Sequence, residues 1–269
     1  MNSAVERAIT CIWERYSEPL SLTDIARSAI LSRFHFTRLF KDATGVPPGR
    51  FLSAVRIYEA KRMLVTTPMK VTDISFAVGF NSLGSFTNHF TDSVGISPSR
   101  FRSMSRNESF DSPDRRPRSY QSDVMVGGVA GAVTLPTGYA GARLYVGAFD
   151  TPIVQRRPVS AVVASIGSHG KPCRFRLPAV PDGEWFIHAV AVADTADPEP
   201  WTSRVLLIGR GVVGVEVGTG TCAEIVLRPR RATDLPILFA LPELEPELDG
   251  FAQPEAVPAA ESAPAPAIS

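Results

Sequence analysis

Arg33, Phe34, Thr37, Arg38 and Lys41 are the residues whose types and spacing bear most directly on chemistry in this sequence. Phe34, Thr37, Arg38 and Lys41 fall at i, i+3, i+4 and i+7, so on a helix they share one face. Guanidinium and ammonium groups there can pair with phosphate oxygens or with the acceptor pair on a guanine edge. A second set, Gly84, Ser85 and Asn88 with Thr87 and Thr91, occupies the equivalent stretch further along and carries no cation. Other chemistry-bearing residues are dispersed. His35, His89, His169 and His188 have no metal-ligand spacing with one another or with a Cys, Asp or Glu cluster, and no Gly-x-Ser-x-Gly elbow occurs. Gly209-Arg-Gly-Val-Val-Gly214 fits a dinucleotide pattern by letter, but it lies between β runs with no helix after it. No enzyme, metal or other cofactor is expected.

An internal repeat identifies the elements that hold these side chains. Phe36-Thr-x-x-Phe40-x-Asp42-x-x-Gly45-x-x-Pro48-x-Arg50-Phe51 recurs as Phe86-Thr-x-x-Phe90-x-Asp92-x-x-Gly95-x-x-Pro98-x-Arg100-Phe101, with eight of sixteen positions identical at an offset of 50. Thr23-Asp24-Ile25 matches Thr72-Asp73-Ile74 at an offset of 49, so one residue is gained in the turn between. Each copy predicts a short helix, a tight turn, a second helix and a glycine stop. In the first copy a helix runs through Ala29, Ile30-Leu31 turns, Ser32 caps the next helix and Gly45 ends it. In the second, Gly79-Phe80-Asn81-Ser82 turns and Gly95 stops. Phe36, Leu39 and Phe40 face a core, which leaves the cationic set outward. Pro48–Thr66 predicts one connecting helix with Pro48 in its first turn. Such a strut can set the two outward faces about one DNA turn (~34 Å) apart.

The net charge of +1 hides an asymmetry. Residues 1–119 hold 17 Lys/Arg against 11 Asp/Glu, and residues 120–269 hold 11 against 16. The first half therefore points to a polyanion partner and the second does not. With 44% hydrophobic and 20% charged residues, a core can form and global disorder is excluded. Three cysteines, none in a C-x-x-C pair, fit a reducing compartment. Without a secretory leader pattern or a bilayer-length apolar run, a cytoplasmic chain with no membrane partner is expected.

Helical periodicity covers residues 4–103, and the polar, proline-broken residues 104–122 read as a flexible linker. β runs follow at 124–134, 142–149, 159–166, 173–177, 184–193, 203–208, 211–217 and 222–228, with Asp182-Gly183 placed to turn a hairpin. Residues 123–240 thus read as an all-β, sandwich-like domain. The Pro-, Ala- and Glu-rich residues 241–269 read as a disordered tail, dispensable for folding. The expected fold is multidomain: an all-α tandem helix-turn-helix domain followed by an all-β sandwich.

Leu20-Ser-Leu-Thr-Asp-Ile-Ala26, Ser32…Phe40-Lys41…Gly45, Arg56…Ala60…Met63-Leu64 and Ile74…Ala77-x-Gly79-Phe80…Phe86…Phe90…Gly95-Ile-Ser-Pro98…Arg100 occur in order. On these motifs the helical half resembles the DNA-binding domain of the AraC/XylS family of bacterial transcription regulators. The resemblance implies two reader helices in adjacent major grooves, with Phe34, Thr37 and Arg38, then Gly84, Ser85 and Asn88, facing bases. It implies double-stranded promoter DNA and RNA polymerase as partners. Residues 1–105 alone are expected to bind duplex DNA in a salt-sensitive way. Some regulators of this kind are joined to a methyl-accepting domain with a Pro-Cys-His-Arg motif. Pro172-Cys173-Arg174 lacks that histidine and lies in β texture, so Cys173 is read as a buried strand residue. Gly128-Val-Ala-Gly-Ala-Val, Leu144-Tyr-Val and Arg176-Leu-Pro-x-Val-Pro-Asp-Gly-x-Trp185 resemble transthyretin-like or carboxypeptidase-regulatory β-sandwich modules. A small-molecule effector pocket, or a surface for self-association or protein interaction, are alternative roles for that half.

Overall fold

The aromatic period of the repeat becomes the core of the helical half. The computed structural model describes residues 3–105, 127–136, 139, 142–166, 172–194, 204–216, 220–231 and 234–241. The helices are α1 (Ser3–Arg15), α2 (Leu22–Ser28), α3 (Arg33–Thr44), α4 (Pro48–Thr66), α5 (Val71–Ala77), α6 (Leu83–Val94) and α7 (Pro98–Ser105). Phe36, Phe40 and Phe51 of the first copy and Phe86 and Phe90 of the second are fully buried. Their rings meet edge to face or tilted, with Phe40–Phe51 centroids 5.5 Å apart and Phe86–Phe90 centroids 5.6 Å apart. The connecting helix α4 has the predicted bounds, and its 19 residues span about 28 Å at ~1.5 Å each. It buries Phe51, Val55, Ile57, Ala60 and Leu64 around its axis, as a central helix must.

The two turns use the same backbone conformation with different residues. Ile30 and Gly79, equivalent in the repeat, have φ of 59° and 87°. A β-branched residue is strained in that region, and Ile30 is 79% exposed, so little packing offsets the strain. At Gly79 a Cβ would stand 2.9 Å from the carbonyl oxygens of Tyr16 and Ser17, so glycine is required on both counts. Ser32 takes the N-cap position of α3 as predicted, but its side chain makes no cap bond. Ser82, its counterpart on α6, accepts from the Ser85 N–H.

The second half contains β1 (Gly127–Thr134), β2 (Ala142–Phe149), β3 (Ser160–Ile166), β4 (Cys173–Val180), β5 (Gly183–Asp194), β6 (Arg204–Val215), β7 (Gly220–Val226) and β8 (Arg228–Pro229). They form a three-stranded sheet, β4-β1-β7, and a five-stranded sheet, β3-β2-β5-β6-β8. Val129, Val133 and Leu177 from the small sheet and Leu144, Ile187 and Leu207 from the large one fill the space between them. An all-α half followed by an all-β sandwich is thus the architecture found.

Two local expectations are corrected. The runs 203–208 and 211–217 are one strand, because β6 pairs with β5 without a break from Arg204 to Val215. Gly209 does not end it. A Cβ there would lie 2.5 Å from Ile225 Cγ2, so the glycine admits β7 packed over β6. Asp182-Gly183 turns the chain but makes no hairpin, since β4 pairs with β1 while β5 pairs with β2 and β6. The turn carries the chain from one sheet to the other, with Trp185 Nε1 donating to the Pro181 carbonyl at 2.7 Å.

The halves share a packed junction. Residues 234–241 form a strap in which Leu238 and Ala240 enter the helical core while Ile237 and Phe239 pack on Tyr145, Phe149 and Val190 of the large sheet. Lys61 Nζ donates to the carbonyls of Ile237, Leu238 and Phe239 at 3.2, 2.8 and 3.4 Å. Arg230 donates to Tyr58 Oη at 3.0 Å and lies over the Tyr58 ring. Of the linker expected at 104–122, only Met104 and Ser105 are described, and they end α7. Of the tail expected at 241–269, only Leu241 is described, and it packs against the sheet-side cluster of the strap. The expectation that residues 1–105 suffice therefore meets a helical core that includes Ile153, Leu238 and Ala240 from outside that range.

Candidate nucleic-acid interface

The helix pairs α2–α3 and α5–α6 each bury the inner stripe of their second helix and leave the outer stripe in solvent. On α3, Arg33, Phe34, Arg38 and Lys41 are exposed, and Phe34 is 86% exposed although the neighbouring aromatics are fully buried. Thr37 is half-buried, and its hydroxyl donates to the Arg33 carbonyl at 2.8 Å. Its methyl and remaining acceptor capacity are what it can offer a ligand. On α6, Gly84, Ser85 and Asn88 are all exposed. A Cβ at Gly84 would meet nothing within 4 Å, so the thin surface there is a property of the sequence and not a packing need.

The β half grips the other ends of these helices. A helix leaves its last carbonyls without intrahelical donors. On α6 two of these are filled from the β half: Arg156 N–H donates to Ser93 O at 2.9 Å and Ala240 N–H to Val94 O at 3.1 Å. Position 95, the α6 stop, abuts the Phe239 ring, and position 45, the α3 stop, abuts Pro152 and Arg210. Arg156 also places its guanidinium on Asp92 of α6, with Nη2 at 3.1 Å from Oδ2. Sequence reasoning missed this residue, and nothing in its local pattern marks it, because the contact spans 64 positions.

Two buried groups sit behind this surface. His188 is 7% exposed between Phe149 and Phe186, with Nε2 3.4 Å from the Thr151 carbonyl. Burial pushes its pKa down to about 4. The bond holds the β2–β3 turn, which carries Pro152, Ile153 and Arg156. Desolvation likewise brings Lys61 Nζ down to about 7, while the three strap carbonyls and the Phe101 face favour its charged form. Cys173 is half-buried in β4, not fully buried as expected, because β4 is an edge strand. Among the described residues no group of three or more His, Cys, Asp or Glu could hold a metal. No described helix is long and apolar enough to cross a membrane.

A tight turn ahead of a helix with a buried aromatic stripe and an exposed polar or cationic stripe is the build of a nucleic-acid-reading helix pair. Comparison with known proteins agrees. The family described as a helix-turn-helix domain matches residues 25–104. The HTH-type transcriptional activator AarP of Providencia stuartii is 35% identical over 101 residues, which are 38% of this chain and 75% of AarP. The lactose operon transcription activator of Staphylococcus xylosus is 31% identical over 102 residues, which are 38% of this chain but only 37% of that protein. A solved transcriptional regulator from Chromobacterium violaceum, described as containing an AraC-type DNA-binding domain, superposes with a TM-score of 0.38 at 27% identity, over 40% of this chain and 96% of that one. The chain belongs to the helix-turn-helix family of transcriptional regulators, through its N-terminal domain.

Proposed function

We propose that this protein regulates transcription by binding double-stranded promoter DNA, and that it reads two successive major-groove segments with α3 and α6. The observation that carries the reading is Phe34, a large apolar side chain held in solvent beside Arg38 on a helix that has buried its other aromatics. An apolar ring on that stripe can contact a thymine methyl in the major groove beside the hydrogen bonds that Arg38 offers a base edge. Phe34, Thr37 and Arg38 address base edges, and Arg33 and Lys41 take phosphates. Gly84, Ser85 and Asn88 make a thinner second reader that serves more for positioning than for sequence.

The test is a binding selection on randomised duplexes. Loss of a bidentate base contact costs about 1–3 kcal/mol, so Arg38→Ala should flatten preference at one base pair. Asn88→Ala should leave the preferred sequence nearly unchanged. Erasure of a strongly preferred half-site by Asn88→Ala, with only uniform weakening by Arg38→Ala, would reverse the assignment.

A further inference from the structure

The first reader carries its own cations on its outer stripe and the second carries none. At about 100° per residue, Asp92 projects from α6 between Asn88 and Ser85. The second reading stripe therefore ends in an exposed carboxylate, which repels phosphate. Asp92 lies about 10 Å along the axis from Ser85, close to the ~12 Å width of a major groove. A helix seated by its first turns thus brings Asp92 to the phosphate wall. The β2–β3 turn sets a cation at this spot. Arg156 Nη2 and Nε stand 3.1 and 3.3 Å from Asp92 Oδ2, and Nη1 stands 3.7 Å from Asp150. Its backbone is held at φ 59° while its N–H bonds Ser93 O. The paired side chain remains 46% exposed, and exposed Arg157 follows it. A guanidinium has five donors, so one carboxylate does not exhaust it.

We propose that the β2–β3 turn is a third DNA-contacting element: Arg156 and Arg157 engage the phosphates beside the groove that α6 occupies, and so give the second reader the cations it lacks. The bond from its own N–H to Ser93 O keeps Arg156 at the end of the second stripe, and Asp92 offsets part of its charge there. The inference rests on the DNA-binding reading above.

The test uses the full chain and the duplex it enriches from a randomised pool, with affinity followed as NaCl is raised. Each phosphate contact contributes about 0.9 to the slope of log K against log salt. Arg156→Gln/Arg157→Gln should lower the slope by about 2 and leave the selected sequence unchanged. Arg156→Lys/Arg157→Lys should restore it. Asp92→Asn should tighten binding without lowering the slope, because it removes the repelling charge and leaves both cations. If the glutamine pair does not fold, Arg157→Gln alone decides: a slope loss of about 1 supports the proposal and no loss overturns it. An unchanged slope in the folded glutamine pair overturns it. So does an Asp92→Asn loss equal to that of Arg156→Gln, since Arg156 would then only pin the halves together. A parent chain with no salt-dependent affinity for any duplex takes down the DNA reading as well, and is thereby told apart.

Discussion

Leu238→Ala tests whether the helical half depends on the strap. Leu238 is 1% exposed and lies in the same buried cluster as side chains of α1 to α6. Truncating a buried leucine costs about 2–5 kcal/mol, and more where the site cannot collapse. The strap backbone is held from both sides here: Leu238 N–H bonds Val154 O at 2.8 Å, and its carbonyl accepts from Lys61 at 2.8 Å. Relaxation is therefore restricted, and about 3–4 kcal/mol is expected. Hydrogen exchange read by peptide shows where the loss falls. Protection should drop in α4 and α6 as well as in residues 234–241, and a fragment ending at residue 105 should exchange faster still in the same helices. If the strap loosens while α4 and α6 keep full protection, the helical core does not need the strap and the reasoning fails.

Two further outcomes follow from local geometry. Ile30→Gly should relieve about 1–2 kcal/mol of left-handed strain, less about 0.5–1 kcal/mol of added chain entropy, for a small net rise in melting midpoint. Gly79→Ala at the equivalent turn should lower the midpoint, and melts in which both changes have the same sign would contradict the account. His188 has a folded pKa of about 4 against an ordinary 6.5. The unfolded chain thus binds its proton first as pH falls, so stability is full above pH 6.5 and is lost between 6.5 and 4. The loss attributable to this group is about 3 kcal/mol. Urea unfolding across that range should show a slope that His188→Gln flattens, and an equally steep slope in the variant would rule the group out.

The helical half was legible because its signal is local and given twice. Aromatic spacing, glycine stops and the Pro48 start place α3, α4 and α6 without any long-range information. The β half was legible as texture but not as pairing. Gly209-Arg210-Gly211 reads as a break only until Ile225 is seen packed over it, and Asp182-Gly183 reads as a hairpin only until β4 is seen to pair with β1. Strand partners are chosen by non-local packing. The strap escaped for a related reason. Its alternate residues face two different cores, so both of its faces are apolar and it shows no amphipathic period. On the proposed interface, the exposure of the outer stripe of α3 could be read from spacing, whereas Arg156 owes its place to the docking of the β half.

That docking bears on how the two faces would be presented to DNA. A reader helix contacts base edges with its first turns. In α3 and α6 these turns are free, and it is the last turns that meet the β half, through Pro152 and Arg210 at one stop and Phe239, Arg156 and Ala240 at the other. The strap also holds α4, the helix between the two stripes, through Lys61. Two stripes fixed to one strut and gripped from behind lose less freedom on binding than two loosely joined ones, and preorganisation of that kind appears as affinity. The second stripe, with little chemistry of its own in Gly84, Ser85 and Asn88, has the most to gain from being held in place, and it receives the larger share of the β half's backbone hydrogen bonds.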